Sequence, residues 1–289
     1  MRITPLHDDF GARIDGMNLT ARLSQGDVGA LRAAIDEYSV LHFPEQPMSD
    51  DAQLALTRQL GEPEENHVIY GRTGEKVYLA TIGNVIDGER KHDGDAAHTR
   101  YQRGNNLWHS DSSFRLVPSF VSILHAYEVP GEGGETEFVS QRAAYARLDP
   151  PHQRELDGLH VLHDYVFSRS KTAPVDDNHA ASLPPIEHKL VRTNPGNGRK
   201  NVYVGSHARS IIDPSGRVWS GIESRKLIDS LHEEATGDRH RYVHRWSAGD
   251  TVLWDNRCVL HRGAGYDANQ YRRYMRQSRV RGAGSTLDE

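Results

Sequence analysis

The sequence contains a single cysteine, Cys258, so no disulfide can form within the chain. A chain of 289 residues that does without disulfides is typical of a reducing compartment, and we expect a cytoplasmic protein. No apolar run approaches the roughly 20 residues that a membrane-spanning helix needs. Residues 1–5 lack the apolar segment of a signal peptide. These absences argue against a disulfide-stapled secreted fold and against a membrane partner.

The chain also lacks an excess of positive charge, since 35 Lys and Arg stand against 40 Asp and Glu. Nucleic-acid-binding proteins present clustered basic residues to phosphates. Apart from the arginines within 272–281, the basic residues are scattered. We therefore expect a small-molecule substrate and no nucleic-acid partner.

No Pro- or Ser-rich linker divides the chain, which favours a single domain over residues 1–289. Apolar residues recur at helical spacing near 27–38, 49–60, 140–160 and 221–235. Strand-like segments dominate from residue 106 onward. This pattern predicts a mostly β fold with flanking helices.

Two polar stretches interrupt the pattern. Residues 62–105 and 170–187 contain few apolar runs, and the first is too long for an idle connection in a compact domain. We therefore expect active-site loops near 62–105 and 165–187.

One motif points to metal chemistry. His109 and Asp111 form a His-x-Asp sequence, and residues two apart on a strand point to the same face. With a distant second histidine, they make the two-histidine, one-carboxylate set that leaves positions open on iron(II). The motif alone leaves an ordinary polar pair as the alternative, because the chain has 17 histidines.

The C-terminal part offers the second histidine. His261 ends an apolar segment that follows the turn at 255–257. In the strand-like segment 272–280, period-2 alternation places Arg273 and Arg279 on one face. If that face is inward, Arg273 needs an anionic partner such as a ligand carboxylate, because a buried unpaired guanidinium is costly. A solvated basic edge strand is the alternative.

Together these motifs resemble the taurine dioxygenase family of iron(II)/2-oxoglutarate oxygenases. The residues of the motifs are similar to those of the 2,4-dichlorophenoxyacetate (aryloxyalkanoate) dioxygenase branch. Three stretches carry the likeness, namely LWHSDSSF at 107–114, GGETEF at 133–138 and WDNRCVLHRG at 254–263. The resemblance extends over nearly the whole chain, from Pro5 to Gly282.

The resemblance implies a double-stranded β-helix (jelly-roll) core and iron(II) held by His109, Asp111 and His261. It implies that Thr136 and Arg273 bind the distal carboxylate of the cosubstrate 2-oxoglutarate, with dioxygen as the oxidant. The implied reaction hydroxylates a small anionic organic substrate and releases succinate and carbon dioxide, with C–O cleavage where the attacked carbon bears oxygen. Family members form homo-oligomers, so a dimer or tetramer is expected.

One position departs from the family pattern. Four residues beyond Arg273, the sulfonate, sulfate and phenoxyacetate enzymes carry an arginine that anchors the substrate anion, whereas this chain has Gln277. Glutamine donates a hydrogen bond but cannot pair a charge. Arg279, on the same strand face, is the candidate replacement.

Further substrate contacts are expected before the metal motif. His67 is the nearest candidate there, and Tyr70 is a second. Asn106 is a third, for which a turn-capping role is the alternative.

Three other functions stay open. Gln277 favours a natural-product tailoring enzyme or a sulfonate or sulfate-ester oxygenase with the same iron site. A zinc hydrolase that uses the same three ligands would leave Thr136 and Arg273 without a role. A non-catalytic β-barrel binding protein is the remaining alternative.

Overall fold

The computed structural model describes residues 1–66, 77–86, 89–90, 94, 103–172 and 177–289. The strands, in chain order, are β1 (Arg2–Pro5), β2 (Ala12–Asp15), β3 (Val40–Phe43), β4 (Ala80–Gly83), β5 (Val85–Ile86), β6 (Glu89–Arg90), β7 (Ser119–Glu128), β8 (Thr136–Ser140), β9 (His160–His163), β10 (Ile186–Lys189), β11 (Val191–Thr193), β12 (Lys200–Val202), β13 (Ala208–Ile212), β14 (Tyr242–His244), β15 (Thr251–Asp255), β16 (Val259–Gly263) and β17 (Tyr274–Arg281).

The helices begin where capping residues stand in the sequence. They are α1 (Gln25–Tyr38), α2 (Asp50–Leu60), α3 (Gln141–Arg147), α4 (Pro150–Leu156), α5 (Tyr165–Arg169), α6 (Asp177–Ser182) and α7 (Gly221–Thr236). Ser49 accepts from the amide of Ala52 at the start of α2, and Gly61 ends that helix. Ser220 and Glu223 form a capping box at the start of α7. No described helix is long and apolar enough to cross a membrane.

Two sheets hold the site. The larger has seven strands in the order β1-β2-β3-β15-β7-β17-β4, and the smaller has three in the order β14-β8-β16. Buried apolar side chains of both sheets share one cluster, with Leu124, Val252 and Met275 from the larger and Phe138 and Val259 from the smaller. Burial of this shared face is the main stabilising term that holds the two layers together.

Two further sheets lie beside a second cluster. β10-β9-β13 and the hairpin β11-β12 are flanked by α3 and α7, whose apolar residues pack in a separate core. The described part of the chain therefore matches the predicted mostly β architecture with flanking helices.

The segment predictions hold unevenly. The β11–β12 pairing forms a hairpin around the turn at 194–198. The interpretation of residues 170–187 as a plain loop is wrong, since α6 and the start of β10 lie within it. β10 gains its partner from β9, which is a contact between distant segments that local composition does not reveal.

Candidate metal centre

The smaller sheet brings two histidines together. His261 lies on β16, which pairs with β8. His109 forms an isolated antiparallel bridge with His261, with its amide 3.0 Å from the His261 carbonyl and the return bond at 2.9 Å. The bridge sets the two imidazoles side by side, with ring centroids 4.2 Å apart.

Asp111 reaches the same place by a turn, so the prediction that it follows His109 along a strand is wrong. The chain turns directly after the bridge, and Ser112 adopts a positive φ of 56°. The Asp111 amide donates to Asn256 Oδ1 at 3.2 Å, which fixes the turn against the β15–β16 connection. The two residues still converge, but through a bridge and a turn rather than strand alternation.

The three side chains face a common point without satisfying one another. Their ligand atoms all lie within 4.8 Å of one another, and all three residues are buried. His109 Nε2 is 3.8 Å from Asp111 Oδ1, and His261 Nε2 is 3.8 Å from Oδ2. Hydrogen bonds of nitrogen to oxygen are shorter, at about 2.7 to 3.2 Å. The two Nε2 atoms and Asp111 Oδ1 have no hydrogen-bond partner among the described residues, and this donor set fits a divalent metal ion.

The imidazoles are prepared as neutral ligands. His109 Nδ1 lies 2.7 Å from the Leu107 carbonyl, which can only accept, so Nδ1 carries the proton and Nε2 keeps its lone pair. Burial lowers the pKa of His109, and it lowers the pKa of His261 to about 3. Both imidazoles are therefore in their neutral form at neutral pH, as metal binding requires.

The Asp111 carboxylate is held in its charged form. Burial raises its pKa, but His261 and Arg279 outweigh this effect and leave the pKa below its usual range. Ser122 donates to Oδ2 at 2.6 Å, and the Gln277 amide donates to the same oxygen at 2.9 Å. These bonds orient the carboxylate beside the two histidines.

Arg273 lies just before β17 and is buried, as expected if this face of the strand points inward. Its Nη2 is 3.5 Å from the Gly134 carbonyl, and its Nε has no hydrogen-bond partner among the described residues. No described carboxylate forms an ion pair with it, and burial lowers its pKa to about 10, so it stays cationic at neutral pH. A buried cation without an anion is costly, which fits a place for an anionic ligand.

Thr136 lies on the same side as His261. It pairs with Gly263 in the β8–β16 ladder, two residues beyond the pair of His261 and Phe138. Thr136 and Phe138 are two residues apart on β8 and so share a strand face. The distance between them along the strand is about 7 Å, at about 3.3 Å per residue. The Thr136 hydroxyl accepts from Trp246 Nε1 at 3.0 Å. A small dicarboxylate is long enough to reach from the metal point to this hydroxyl.

Aromatic rings line the histidine side. The Trp254 ring lies 4.6 Å from the His261 ring, and Phe138 stacks at 6.1 Å. Trp108 is buried beneath the Arg262 guanidinium, 4.7 Å from it. Trp254 and Phe138 therefore pack beside the centre, whereas Trp108 packs with Val139 and Leu260 in a separate small cluster.

The two β17 residues have partners other than a substrate. Gln277 donates to Asp111, and Arg279 forms a buried ion pair with Glu64, with its Nε 3.0 Å from the carboxylate. Glu64 thus engages Arg279 and also lies 3.7 Å from Arg115, and the role of Arg279 as a replacement for the anchoring arginine stays a prediction. Glu64 stands 215 residues away in sequence, so no local pattern pointed to it.

The other predicted substrate residues are less informative. His67 and Tyr70 lie outside the described residues. Asn106 is exposed at the end of a short 3-10 helix, Arg103–Asn106, where its side-chain oxygen faces Gly263.

A second group of possible ligands comprises His42, His244 and Asp250, which sequence reasoning missed because no local motif joins them. Here Asp250 lies 3.0 Å from His42 Nε2 and 3.4 Å from His244 Nε2, which are ion-pair distances. Burial raises the pKa of Asp250, but the two imidazoles outweigh it and hold the pKa well below its usual range. Neither Nε2 makes a well-aligned hydrogen bond, but Asp250 lies closer to both imidazoles than Asp111 lies to its two histidines.

The whole chain is similar to known dioxygenases. The family model "Taurine catabolism dioxygenase TauD, TfdA family" matches residues 2–278. The chain is 38% identical to the alpha-ketoglutarate-dependent 2,4-dichlorophenoxyacetate dioxygenase of Cupriavidus pinatubonensis, covering 99% of this chain and 97% of that protein. It is 33% identical to the (S)-phenoxypropionate/alpha-ketoglutarate-dioxygenase of Sphingobium herbicidovorans, covering 97% and 94%. The crystal structure of AAD-2 in complex with Mn(II) and N-oxalylglycine superposes with a TM-score of 0.89 and 33% identity, covering 100% of both chains.

Proposed function

The chain belongs to the taurine catabolism dioxygenase TauD, TfdA family, and from this premise we propose that it hydroxylates a small anionic substrate of the aryloxyalkanoate type. It is an iron(II)- and 2-oxoglutarate-dependent dioxygenase. When bound, iron(II) with 2-oxoglutarate and dioxygen supplies the oxidising power for inserting oxygen into a C–H bond, with succinate and carbon dioxide as coproducts.

Two features together carry the site assignment, namely three metal-type ligands that do not bond to one another and a buried cation without an anionic partner among the described residues. His109, Asp111 and His261 converge without bonding to one another, and Arg273 is buried without a described anionic partner. We propose that the first three hold the iron. Three ligands leave the remaining positions for a chelating cosubstrate and oxygen.

Arg273 and Thr136 serve the other end of 2-oxoglutarate. The guanidinium donates to a carboxylate in a bidentate pair, and the Thr136 hydroxyl donates beside it. The Gly134 carbonyl contacts Arg273, and the turn requires glycine here because its φ is positive and a Cβ would lie 2.7 Å from Pro130 Cγ. The negative charge of the 2-oxoglutarate carboxylate would also offset the cost of keeping Arg273 buried.

The protein then contributes orientation and exclusion of water. Trp254, Phe138 and His261 form a packed wall on one side of the centre. The carbonyl of Leu107 holds the His109 ring in one tautomer, and Ser122 fixes one oxygen of Asp111. No described side chain has to act as acid or base for the hydroxylation itself.

Arg169 is our candidate for the substrate anion. It ends α5 within the predicted loop 165–187, and its Nη2 lies 3.3 Å from Asn105 Oδ1. Burial, and after it the positive charge of Arg169, lowers the pKa of His109, so the Arg169 guanidinium is within electrostatic reach of the metal ligands. An anion received here would lie next to the metal ligands.

Gln277 favours a second candidate with the same iron site. Because neither Gln277 nor Arg279 offers a free charge, a substrate with another polar group fits as well. A sulfonate or sulfate-ester oxygenase, or a natural-product tailoring enzyme, is therefore the alternative.

We also propose the finer architecture and setting. The large sheet and β14-β8-β16 form a double-stranded β-helix (jelly-roll) core in one domain over residues 1–289, as the shared cluster supports. A cytoplasmic homo-oligomer, dimer or tetramer, without a nucleic-acid or membrane partner is the proposed state, and light scattering tests its size.

The deciding experiment measures succinate release by protein loaded anaerobically with iron(II) and then given 2-oxoglutarate and oxygen. The panel comprises phenoxyacetates, phenoxypropionates, alkyl sulfonates and sulfate esters. Stimulation by an aryloxy acid supports the proposed substrate class. Stimulation by a sulfonate or sulfate ester alone contradicts it and supports the alternative.

A further inference from the structure

Gln277 occupies a buried position between two charged groups. Its Nε2 donates to Asp111 Oδ2 at 2.9 Å, and its Oε1 accepts from Arg279 Nη1 at 3.4 Å. A carboxylate can only accept and a guanidinium can only donate, so these partners fix which end of the amide faces which. The amide therefore has one orientation, set by the charges on either side.

Arg279 is itself held in place. Its Nε lies 3.0 Å from Glu64 Oε1, and its Nη2 donates to Asn66 Oδ1 at 2.6 Å. Glu64 is buried and also accepts from Ser119 at 2.7 Å. Because charges this deep stay paired, the guanidinium has little freedom to turn toward a substrate.

These contacts fix the orientation of the Asp111 carboxylate. Its Oδ2 takes two bonds, from Gln277 and from Ser122, and Ser122 is in turn supported by Asn256 at 2.9 Å. No described residue donates to Oδ1, which is 3.8 Å from His109 Nε2. Partners that fix a ligand in this way raise metal affinity by preventing it from rotating.

We propose that Gln277 is a positioning residue, which orients Asp111 for the metal, and that β17 does not bind the substrate anion. The inference rests on the proposed iron- and 2-oxoglutarate-dependent function. A second arginine at position 277 would stand beside the cation Arg279, whereas a neutral amide bridges Arg279 and Asp111 without repulsion. Specificity for the anionic group must then come from elements outside β17.

The test compares Gln277→Met with Gln270→Met. The first removes the donor at nearly constant length, and the second makes the same change at an exposed glutamine just before β17. Mn(II) affinity of the metal-free protein is measured by titration calorimetry, and the KM of the best panel substrate is measured with iron(II). We expect Mn(II) binding to weaken about 10- to 100-fold in Gln277→Met. Gln270→Met should match the wild type.

The outcomes separate the two roles of Gln277. Unchanged Mn(II) affinity with a raised substrate KM in Gln277→Met would overturn the inference and make Gln277 a substrate residue. Gln277→Leu, with circular dichroism as a check on folding, repeats the test if the methionine variant unfolds. Failure of the wild type to bind Mn(II) would overturn the proposed function, which is a different result.

Discussion

Replacement of Arg273 by methionine should separate stability from function. The guanidinium is buried beside Gly134, and its Nε has no described partner. Leaving a buried polar group unsatisfied costs about 1 to 3 kcal/mol, and more when it is charged. Arg273→Met removes this cost and keeps most of the side chain's apolar contacts, so the ligand-free protein should become more stable.

The expected magnitudes are large enough to measure. A gain of about 1 to 3 kcal/mol corresponds to a rise in Tm of roughly 2 to 8 °C in a chain of this size. Truncating one partner of a buried charge pair costs about 2 to 5 kcal/mol, so 2-oxoglutarate affinity should fall about 30-fold to about 4,000-fold. Differential scanning fluorimetry and titration calorimetry measure the two effects.

Arg272→Met is the matched control. The neighbouring arginine is only half-buried and pairs with Glu128, so its loss should leave 2-oxoglutarate affinity unchanged. If Arg273→Met lowers the Tm of the ligand-free protein and binds 2-oxoglutarate as tightly as the wild type, then Arg273 is structural and the reasoning fails.

Three other perturbations test separate parts of the structure. Arg169→Gln should raise the KM for an anionic substrate about 10-fold or more with little change in Mn(II) affinity, and an unchanged KM would remove Arg169 as the anion site. His244→Ala should leave the metal content at one ion per chain, because Asp250 already pairs with both neighbouring histidines; loss of one of two ions by elemental analysis would show a second metal site. Burial lowers the pKa of His125 and His188 to about 4, from about 6.5 when unfolded. The unfolded chain therefore binds more protons between these values, so this stability is present above pH 6.5 and is lost as pH falls toward 4. The Tm should be lower at pH 5 than at pH 7, and an equal or higher Tm at pH 5 would contradict the assignment.

The metal motif could be predicted from sequence because its residue types are specific to the chemistry. His109, Asp111 and His261 were identified as candidates, and the structure brings them together. The route was not predictable, since the His109–His261 bridge joins segments about 150 residues apart and the turn at Ser112 depends on Asn256. Local alternation therefore selected residues that the structure does bring together, but the backbone joins them by a bridge and a turn instead of a strand.

On β17 the sequence pattern predicted which side chains are buried but not what they contact. Period-2 alternation placed Arg273, Gln277 and Arg279 on one face, and all three are buried. What each side chain contacts depends on distant residues, namely Glu64 for Arg279 and Asp111 for Gln277. A strand pattern predicts the face of a residue but not its partner, so the contacts of Gln277 and Arg279 could not be predicted from sequence.

The most direct test of the central claim is turnover of 2-oxoglutarate by wild-type protein and by Asp111→Ala, each supplied with iron(II), oxygen and a stimulating substrate. The account predicts succinate formation that depends on oxygen and substrate in the wild type and is lost in the variant, because Asp111 is the one carboxylate in the proposed ligand set. Wild-type rates of succinate formation in Asp111→Ala would contradict it.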